Sequence, residues 1–249
     1  MIKHVIFDFF GTISDTGTSS VDATAKILKN VGSDMEPSVF YNEWKTVKRA
    51  RMDEEPFYTE KEHYARILCE LFEKHGIKAD GNTAVKPYID MLFGDRKVFP
   101  DAVQCIEDLK ALRLDVVIGS TTDNDVLKHH LDMYGITVDD CFTSEDFKVY
   151  KPHPEFYRSI LEKTGWDPSE CLFIGDSLGD DVFGPKAEGM HAVWLNRKKK
   201  AYGDAFKSSS IEKEYTPDRI IFSLCELPAL VNEINGQGAQ DGSFKNFGS

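Results

Sequence analysis

The sequence has few cysteines and lacks the paired spacing that zinc sites and redox motifs use. Its five cysteines are widely separated, which predicts buried thiols rather than a disulfide framework and favours a cytoplasmic location. Long apolar segments are also missing, since no run approaches the roughly 18 residues of a membrane-spanning helix. Asp8 interrupts the apolar N-terminus and no cleavage-site pattern follows, so this segment predicts a buried strand rather than a signal peptide.

Positive charge is scarce as well. The 249 residues include 30 Lys and Arg against 42 Asp and Glu, a formal net charge of −12. This balance argues against nucleic acid or an anionic membrane as a partner, because both are bound by basic surfaces. A small anionic substrate is compatible with this net negative charge only where a cation or a few basic groups make the local electrostatic potential positive. No feature of the sequence indicates an oligomeric state.

Short apolar runs that end in polar or glycine-containing loops are typical of strands buried on both faces. Amphipathic helical patterns separate most of these runs, and strands that alternate with helices are typical of an α/β fold. We therefore predict a doubly wound, mainly parallel Rossmann-like sheet. Its candidate strands lie at residues 5–7, 116–118, 172–174, 192–195 and 220–222.

Residues 15–96 have a different pattern, with several amphipathic helices and no clear strand. One helix carries an apolar stripe between Tyr64 and Phe72, as expected for a helix that packs on a core. Thr59 and Glu62 form a capping-box sequence at its start. This stretch predicts a small helical bundle inserted after the first strand.

The chain thus divides into three predicted parts. An α/β core domain comprises residues 1–14 and 97–235, and an all-helical cap domain comprises residues 15–96. Residues 236–249 are rich in Gly, Gln, Asn and Ser, a composition that predicts a disordered tail.

Four polar residues lie at or near the carboxyl ends of predicted strands, the edge at which open α/β sheets bind their ligands. Each of them alone is weak evidence for a site, because single polar residues commonly cap helices or turns. Their order and spacing together are a stronger signal. These residues are Asp8, Ser120, Lys151 and Asp176.

The motifs around these residues resemble those of the haloacid dehalogenase superfamily of hydrolases. The segment DFFGT at 8–12 is similar to the first motif, and Ser120 matches the second. Lys151 matches the third, and GDSLGDD at 175–181 is similar to the fourth. A helical insert between the first two motifs corresponds to the type 1 cap of that superfamily.

The resemblance implies a covalent mechanism in which Asp8 is the nucleophile. A carboxylate suits this role because it is already ionised at neutral pH. The resemblance also implies a Mg²⁺ cofactor, since an oxygen-rich cluster near a phosphate requires a hard cation. Its ligands would be Asp8, the backbone carbonyl of Phe10, Asp176 and Asp181, with Asp180 as an alternative to Asp181.

The remaining motif residues supply positive charge and hydrogen-bond donors. Lys151 is a point charge, and Ser120 and the Thr121 amide can donate to the transferring group. We therefore expect catalytic roles for Asp8, Ser120 and Lys151. The predicted substrate-binding residues are Gly11, Thr12, Ser120, Thr121 and Lys151.

Phe10 departs from the pattern, because most phosphatases of this superfamily carry a second Asp at that position as general acid. Such catalysis contributes about 10²–10⁴-fold, and phenylalanine has no proton to give. We favour a Mg²⁺-dependent phosphatase that acts on a small phosphorylated metabolite through an aspartyl-phosphate, because Asp176 is retained.

Three other hypotheses stay open. The first is a 2-haloacid dehalogenase-like hydrolase that acts at carbon through an aspartyl ester, since halide leaves without protonation. The second is a catalytically weak protein that binds a phosphorylated ligand. The third resembles phosphonoacetaldehyde hydrolase, which uses a cap lysine as a Schiff base, here Lys45 or Lys48.

Two further groups of residues are candidates for contact with substrate. Trp44, Arg49 and Arg51 belong to the predicted cap, which by resemblance selects the substrate. The only basic run, at residues 196–200, follows a predicted strand, and we interpret it as an exposed loop.

Overall fold

The computed structural model describes residues 1–207 and 215–238 and has a six-stranded sheet at its centre. The spatial order is β3-β2-β1-β4-β5-β6, and every neighbouring pair is parallel. The predicted doubly wound, Rossmann-like fold is confirmed. The strands are β1 (His4–Phe7), β2 (Asp115–Ser120), β3 (Asp140–Thr143), β4 (Cys171–Gly175), β5 (His191–Leu195) and β6 (Arg219–Ile221).

Helices cover the sheet and also form the insert after β1. Among the described residues, none of them combines the length and apolar character that a bilayer span requires. Short 3₁₀ turns occur at Pro168–Glu170 and Leu224–Glu226, and a π-helical turn occurs at Leu178–Phe183. The helices are α1 (Ser19–Asn30), α2 (Pro37–Arg51), α3 (Glu60–Lys74), α4 (Gly81–Ala84), α5 (Lys86–Leu92), α6 (Pro100–Ala111), α7 (Asn124–Tyr134), α8 (Ser144–Phe147), α9 (Pro154–Thr164), α10 (Gly184–Ala187), α11 (Tyr202–Lys207) and α12 (Leu227–Gly238).

Two parts of the core differ from the sequence patterns. Strand β3 lies at the sheet edge, and its half-exposed start lacks the continuous apolar run of a central strand. Helix α12 continues through residues 236–238, although we predicted a tail from 236 onward. The Asn235 side chain accepts from the Ile2 amide (2.6 Å) and donates to the Ile2 carbonyl (3.0 Å), which holds the last turns on the core. The rest of the predicted tail, 239–249, lies outside the described residues.

Helices α1–α5 pack around one hydrophobic cluster, to which Val126 of α7 also belongs. The cluster includes Ile27, Phe40, Leu68 and Tyr88, all at most 2% exposed. The predicted capping box starts α3, where Thr59 accepts from the amide of Glu62 and the Glu62 carboxylate accepts from that of Thr59. We call residues 15–96 the helical insert.

The two connections between the insert and the core are hydrogen-bonded to each other. The Asp15 amide donates to the Lys97 carbonyl (2.8 Å), and the Phe99 amide donates to the Ile13 carbonyl (2.9 Å). This pairing begins directly after the loop that follows β1. The base of the insert is therefore anchored beside the carboxyl edge of the sheet.

A second contact holds the insert at the loop that follows β2. The amides of Glu60 and Lys61, in the first turn of α3, donate to the Asp123 carboxylate at 2.8 and 3.2 Å. A carboxylate is favoured at a helix N-terminus because the first amides have no partner within the helix. Burial, together with the charge of Glu60, raises the pKa of Asp123 to about 6.

The central strands should dominate the stability of the core. We predict that Leu172→Ala, in β4 and fully buried, lowers the free energy of unfolding by about 2–5 kcal/mol through lost burial and a residual cavity. The same change at Leu112, which is 38% exposed, should cost roughly 0.5 kcal/mol or less. Urea titration of both variants checks this, and equal losses would contradict the assigned burial.

Candidate active site

The candidate site lies at the carboxyl edge of the sheet, where the loops after neighbouring strands meet. Asp8 directly follows β1, Ser120 ends β2, and Asp176 directly follows β4. Lys151 reaches the same point from the loop between α8 and α9. The structure thus brings Asp8, Lys151 and Asp176 together although they are distant in sequence.

Lys151 is the most buried charge at this edge, with 1% of its side chain exposed. Its Nζ donates to Asp8 Oδ1 at 2.9 Å and to Asp181 Oδ1 at 2.8 Å. Burial alone would lower the pKa of the Lys151 ammonium, but the charges of Asp181 and Asp8 outweigh it and raise that pKa. Lys151 is therefore a fixed positive charge against the predicted nucleophile.

Asp181, rather than Asp180, is the second partner of Lys151. The π-helical turn brings the Asp181 carboxylate inward, where its Oδ2 accepts from the Ser177 amide at 2.9 Å. Gly175 makes room for it, because a Cβ on Gly175 would lie 2.1 Å from that oxygen. The Asp180 carboxylate instead accepts from Arg49 of α2 at 3.1 Å, which is an ion pair between core and insert.

Three carboxylates converge at this site. Oxygen atoms of Asp8, Asp176 and Asp181 all lie within 4.8 Å of one another. Burial and the charge of Asp181 raise the pKa of Asp176 to about 6, against the opposing charges of Lys200 and Lys198. Burial also raises the pKa of Asp8. The positive charge of Lys151 lowers this pKa but offsets only part of the increase, and the negative charge of Asp176 raises it further. One lysine does not balance three carboxylates.

The donor set suits a hard divalent cation, because Mg²⁺ takes oxygen ligands and retains several waters. Asp8 and Asp176 supply carboxylate oxygens at the cluster. The Phe10 carbonyl, in the loop that follows Asp8, accepts no hydrogen bond from the described residues. The residues present therefore fit the predicted cofactor.

The loop after β1 is shaped by Gly11. Its φ of +99° lies in a region that side chains disfavour, and a Cβ would come within 2.5 Å of Asp176 Oδ1. Thr12 is fully buried, and its carbonyl accepts from Arg197 at 3.0 Å. Ser120 is also buried, at 1% exposure. Contact of Gly11, Thr12 and Ser120 with substrate stays a prediction.

A cavity of about 190 Å³ separates the helical insert from the core. Thr121, predicted to bind substrate, and Trp44, predicted to select it, both line this cavity. Arg51 does not, since it pairs with Glu54 and Glu70. The lining residues from the core include Phe10, Thr121 and Thr122, and those from the insert include Tyr41, Trp44, Lys48, Glu60, Tyr64, Tyr88 and Arg96.

Glu60 is a buried charge in this cavity that sequence reasoning missed. Its carboxylate accepts from Lys48 (2.5 Å), Tyr64 (2.8 Å) and Thr122 (3.2 Å). Burial alone would raise the pKa of Glu60, but these donors, led by the Lys48 charge, lower it. Glu60 therefore has no proton to replace the missing acid. The Lys48 Nζ is occupied by this ion pair, which would have to break before the amine could attack a carbonyl group.

The basic run at 196–200 is partly anchored. Residues 198–200 are exposed as predicted, but Asn196 is buried and exchanges two hydrogen bonds with the backbone of Lys200 (both 2.9 Å). Arg197 forms a bidentate pair with Asp101, with both distances 2.9 Å. Residues 196 and 197 thus depart from the interpretation as an exposed loop, and Lys198 and Lys200 line the same pocket as Asp176.

A family model of haloacid dehalogenase-like hydrolases matches residues 2–189. This match covers both the sheet edge that carries the carboxylate cluster and the helical insert. The chain therefore belongs to the haloacid dehalogenase-like hydrolases, as its motifs indicated.

Its relatives include enzymes of two chemistries. The chain is 27% identical to (S)-2-haloacid dehalogenase 1 of Pseudomonas sp. (strain CBS-3), over 92% of this chain and 96% of that protein. It is 25% identical to glyceraldehyde 3-phosphate phosphatase of Pyrococcus furiosus, over 96% of each chain. The structure of L-2-haloacid dehalogenase from Xanthobacter autotrophicus matches with a TM-score of 0.71 and 25% identity, covering 93% of this chain and 99% of that one.

Gly175 offers a direct test of the geometry around Asp181. We predict that Gly175→Ala lowers the free energy of unfolding by about 1–3 kcal/mol, because the new methyl group overlaps the Asp181 carboxylate. Gly203→Ala is the matched control, since no atom lies within 4 Å of its added Cβ. Equal stability of the Gly175 variant and wild type in urea titrations would refute the close packing.

Proposed function

We propose that the protein is a Mg²⁺-dependent phosphatase of small phosphorylated metabolites that works through an aspartyl-phosphate on Asp8. The observation that carries the proposal is the cluster of Asp8, Asp176 and Asp181 around a single lysine. Displacement of a halide from carbon needs no metal, so that reaction would not require the Asp176 carboxylate beside Asp8. The similarity to glyceraldehyde 3-phosphate phosphatase supports the proposal.

The residues that would hold Mg²⁺ are Asp8, Asp176 and the Phe10 carbonyl. Asp181 would bind the ion either directly or through a water molecule. Each of its two oxygens already accepts one hydrogen bond, Oδ1 from Lys151 and Oδ2 from the Ser177 amide. Bound there, the ion would neutralise the carboxylates and polarise a phosphoryl oxygen of the substrate.

In the first step, an Asp8 oxygen attacks phosphorus and the bond from phosphorus to the leaving oxygen breaks. Lys151 stays bonded to Asp8 and stabilises negative charge on the transferring group. Ser120 and the Thr121 amide, at the end of β2, are the predicted donors to its other oxygens. The product of this step is an aspartyl-phosphate.

In the second step, water attacks phosphorus and the bond between Asp8 and phosphorus breaks, which releases phosphate and restores the carboxylate. Phe10 can neither protonate the leaving oxygen nor activate this water. Leaving groups of low pKa depart without a proton, so acyl and aryl phosphates should be better substrates than alkyl phosphates.

Magnesium should stabilise the folded protein through Asp176. We predict that millimolar MgCl₂ raises the melting temperature of wild type, because a ligand that binds only the folded state stabilises it. Asp176→Asn should lose this shift. It should also melt higher than wild type without metal at pH 7, since it removes a carboxylate whose pKa is raised by burial.

Asp180→Asn is the matched control, because Asp180 is outside the cluster, and it should keep the magnesium shift. Hydrolysis of acetyl phosphate and p-nitrophenyl phosphate should stop in EDTA and return with Mg²⁺. Activity that is indifferent to chelation would refute the proposal. Tight binding of phosphorylated ligands without turnover would instead indicate a binding protein.

The second candidate function is a 2-haloacid dehalogenase. It is favoured by Phe10, which removes an acid that halide departure does not need, and by the similarity to (S)-2-haloacid dehalogenase 1. Release of chloride from 2-chloropropionate in the presence of EDTA distinguishes it from the phosphatase.

Restoring the acid should change the order of substrates. We predict that Phe10→Asp raises kcat/KM for alkyl phosphates at least about tenfold and raises it much less for aryl phosphates. The Arg96 guanidinium lies beside position 10 and would favour the ionised carboxylate, so the gain should be largest below neutral pH. Equal gains on both substrate classes between pH 5 and 8 would overturn this explanation of Phe10.

A further inference from the structure

Arg96 is a cation in the cavity that has no carboxylate partner among the described residues. It follows α5, at the second connection between the insert and the core. Its guanidinium carbon lies 4.9 Å from the centroid of the Phe10 ring. Its Nη2 donates to the Met91 carbonyl at a long 3.3 Å, and its Nε is buried without an acceptor in the described part of the chain.

The other cavity cation is compensated. Lys48 pairs with Glu60 at 2.5 Å and lies over the rings of Trp44 and Tyr64. Arginine cannot lose its charge, and a buried donor without an acceptor destabilises the free protein. The open position at Arg96 therefore points to an anionic group that arrives with the ligand.

The cavity that Arg96 lines also reaches residues close in sequence to the predicted reacting groups. Two residues show this. Phe10, which lines the cavity, lies two residues after Asp8, and Thr121, which also lines it, directly follows Ser120. The insert contributes four aromatic side chains to the cavity walls, and the cavity encloses about 190 Å³. A substrate that reacts at Asp8 could therefore extend over Phe10 and place a second group at Arg96.

We propose that Arg96 determines specificity by binding a carboxylate of the substrate, so that the preferred substrates are small phosphate monoesters that also bear a carboxylate. This inference rests on the proposed phosphatase function. A guanidinium presents paired N–H groups that match the two oxygens of a carboxylate. The ionised Glu60 shares the cavity and disfavours the doubly charged second phosphate more than a singly charged carboxylate.

Two substrates of nearly equal shape test the proposal. These are 3-phosphooxypropanoate and its primary amide, which differ only in the charge of the terminal group. Wild type with Mg²⁺ should prefer the carboxylate at least about tenfold in kcat/KM, as expected for one charge-assisted pair. Arg96→Gln should abolish the preference, and Arg96→Lys should keep part of it.

Arg113→Gln is the matched control, because it removes the same charge from an exposed position and should keep the full preference. Hydrolysis of acetyl phosphate, which lacks the second group, reports the proposed function separately. Wild type that hydrolyses acetyl phosphate but treats the carboxylate and the amide alike would overturn the role of Arg96 and leave the phosphatase intact.

Calorimetric binding to Asp8→Asn gives a readout that needs no turnover. The dissociation constant of the carboxylate should be at least about tenfold below that of the amide, and the difference should vanish in Asp8→Asn combined with Arg96→Gln. Equal dissociation constants in Asp8→Asn alone would overturn the proposal even if Arg96 variants failed to fold.

Discussion

The bifurcated pairing of Lys151 with Asp8 and Asp181 is the interaction on which the rest of the site depends. It joins the end of β1, the loop before α9 and the turn after β4, so three separate segments must be in place for it to form. The absent side chain of Gly175 leaves space for Asp181, and the Ser177 amide fixes the other carboxylate oxygen. The buried ammonium is thus held by two charges of opposite sign, without which its desolvation would be prohibitive.

The same arrangement would allow a chain of net charge −12 to act on the anionic substrates that we propose. The charge that a substrate meets is set within a few ångströms, because solvent and salt screen distant surface carboxylates. At the carboxyl edge of the sheet, Lys151 partly offsets three carboxylates, and an oxygen-bound cation would reverse the remaining imbalance. The charges of Lys198 and Lys200, which line a pocket together with Asp176, also lower the pKa of that carboxyl. The global balance therefore excludes extended polyanions better than it excludes a single phosphate.

Features that are defined by residues close together in the sequence could be predicted from local patterns. The central strands, the α3 capping box and the motif residues Asp8, Lys151 and Asp176 are of this kind. The sequence named Asp181 with Asp180 as an alternative, and only the π-helical turn, which gives the two adjacent carboxylates different partners, places Asp181 in the cluster. Glu60 and Arg96 were missed because their roles arise only where the insert meets the core. Strand β3 was missed for a related reason, since an edge strand needs no continuous apolar run.

Phe10 links the missing acid to the cavity. The Arg96 guanidinium lies over its ring, a cation–π arrangement worth about 0.5–2 kcal/mol. An aspartate at position 10 would pair with that guanidinium and occupy the donors that we assign to the substrate carboxylate. The aromatic ring instead supports the cation from one face and offers no competing acceptor, so Nε keeps no acceptor among the described residues. Loss of the acid and a free binding position at Arg96 are thus two consequences of the same residue.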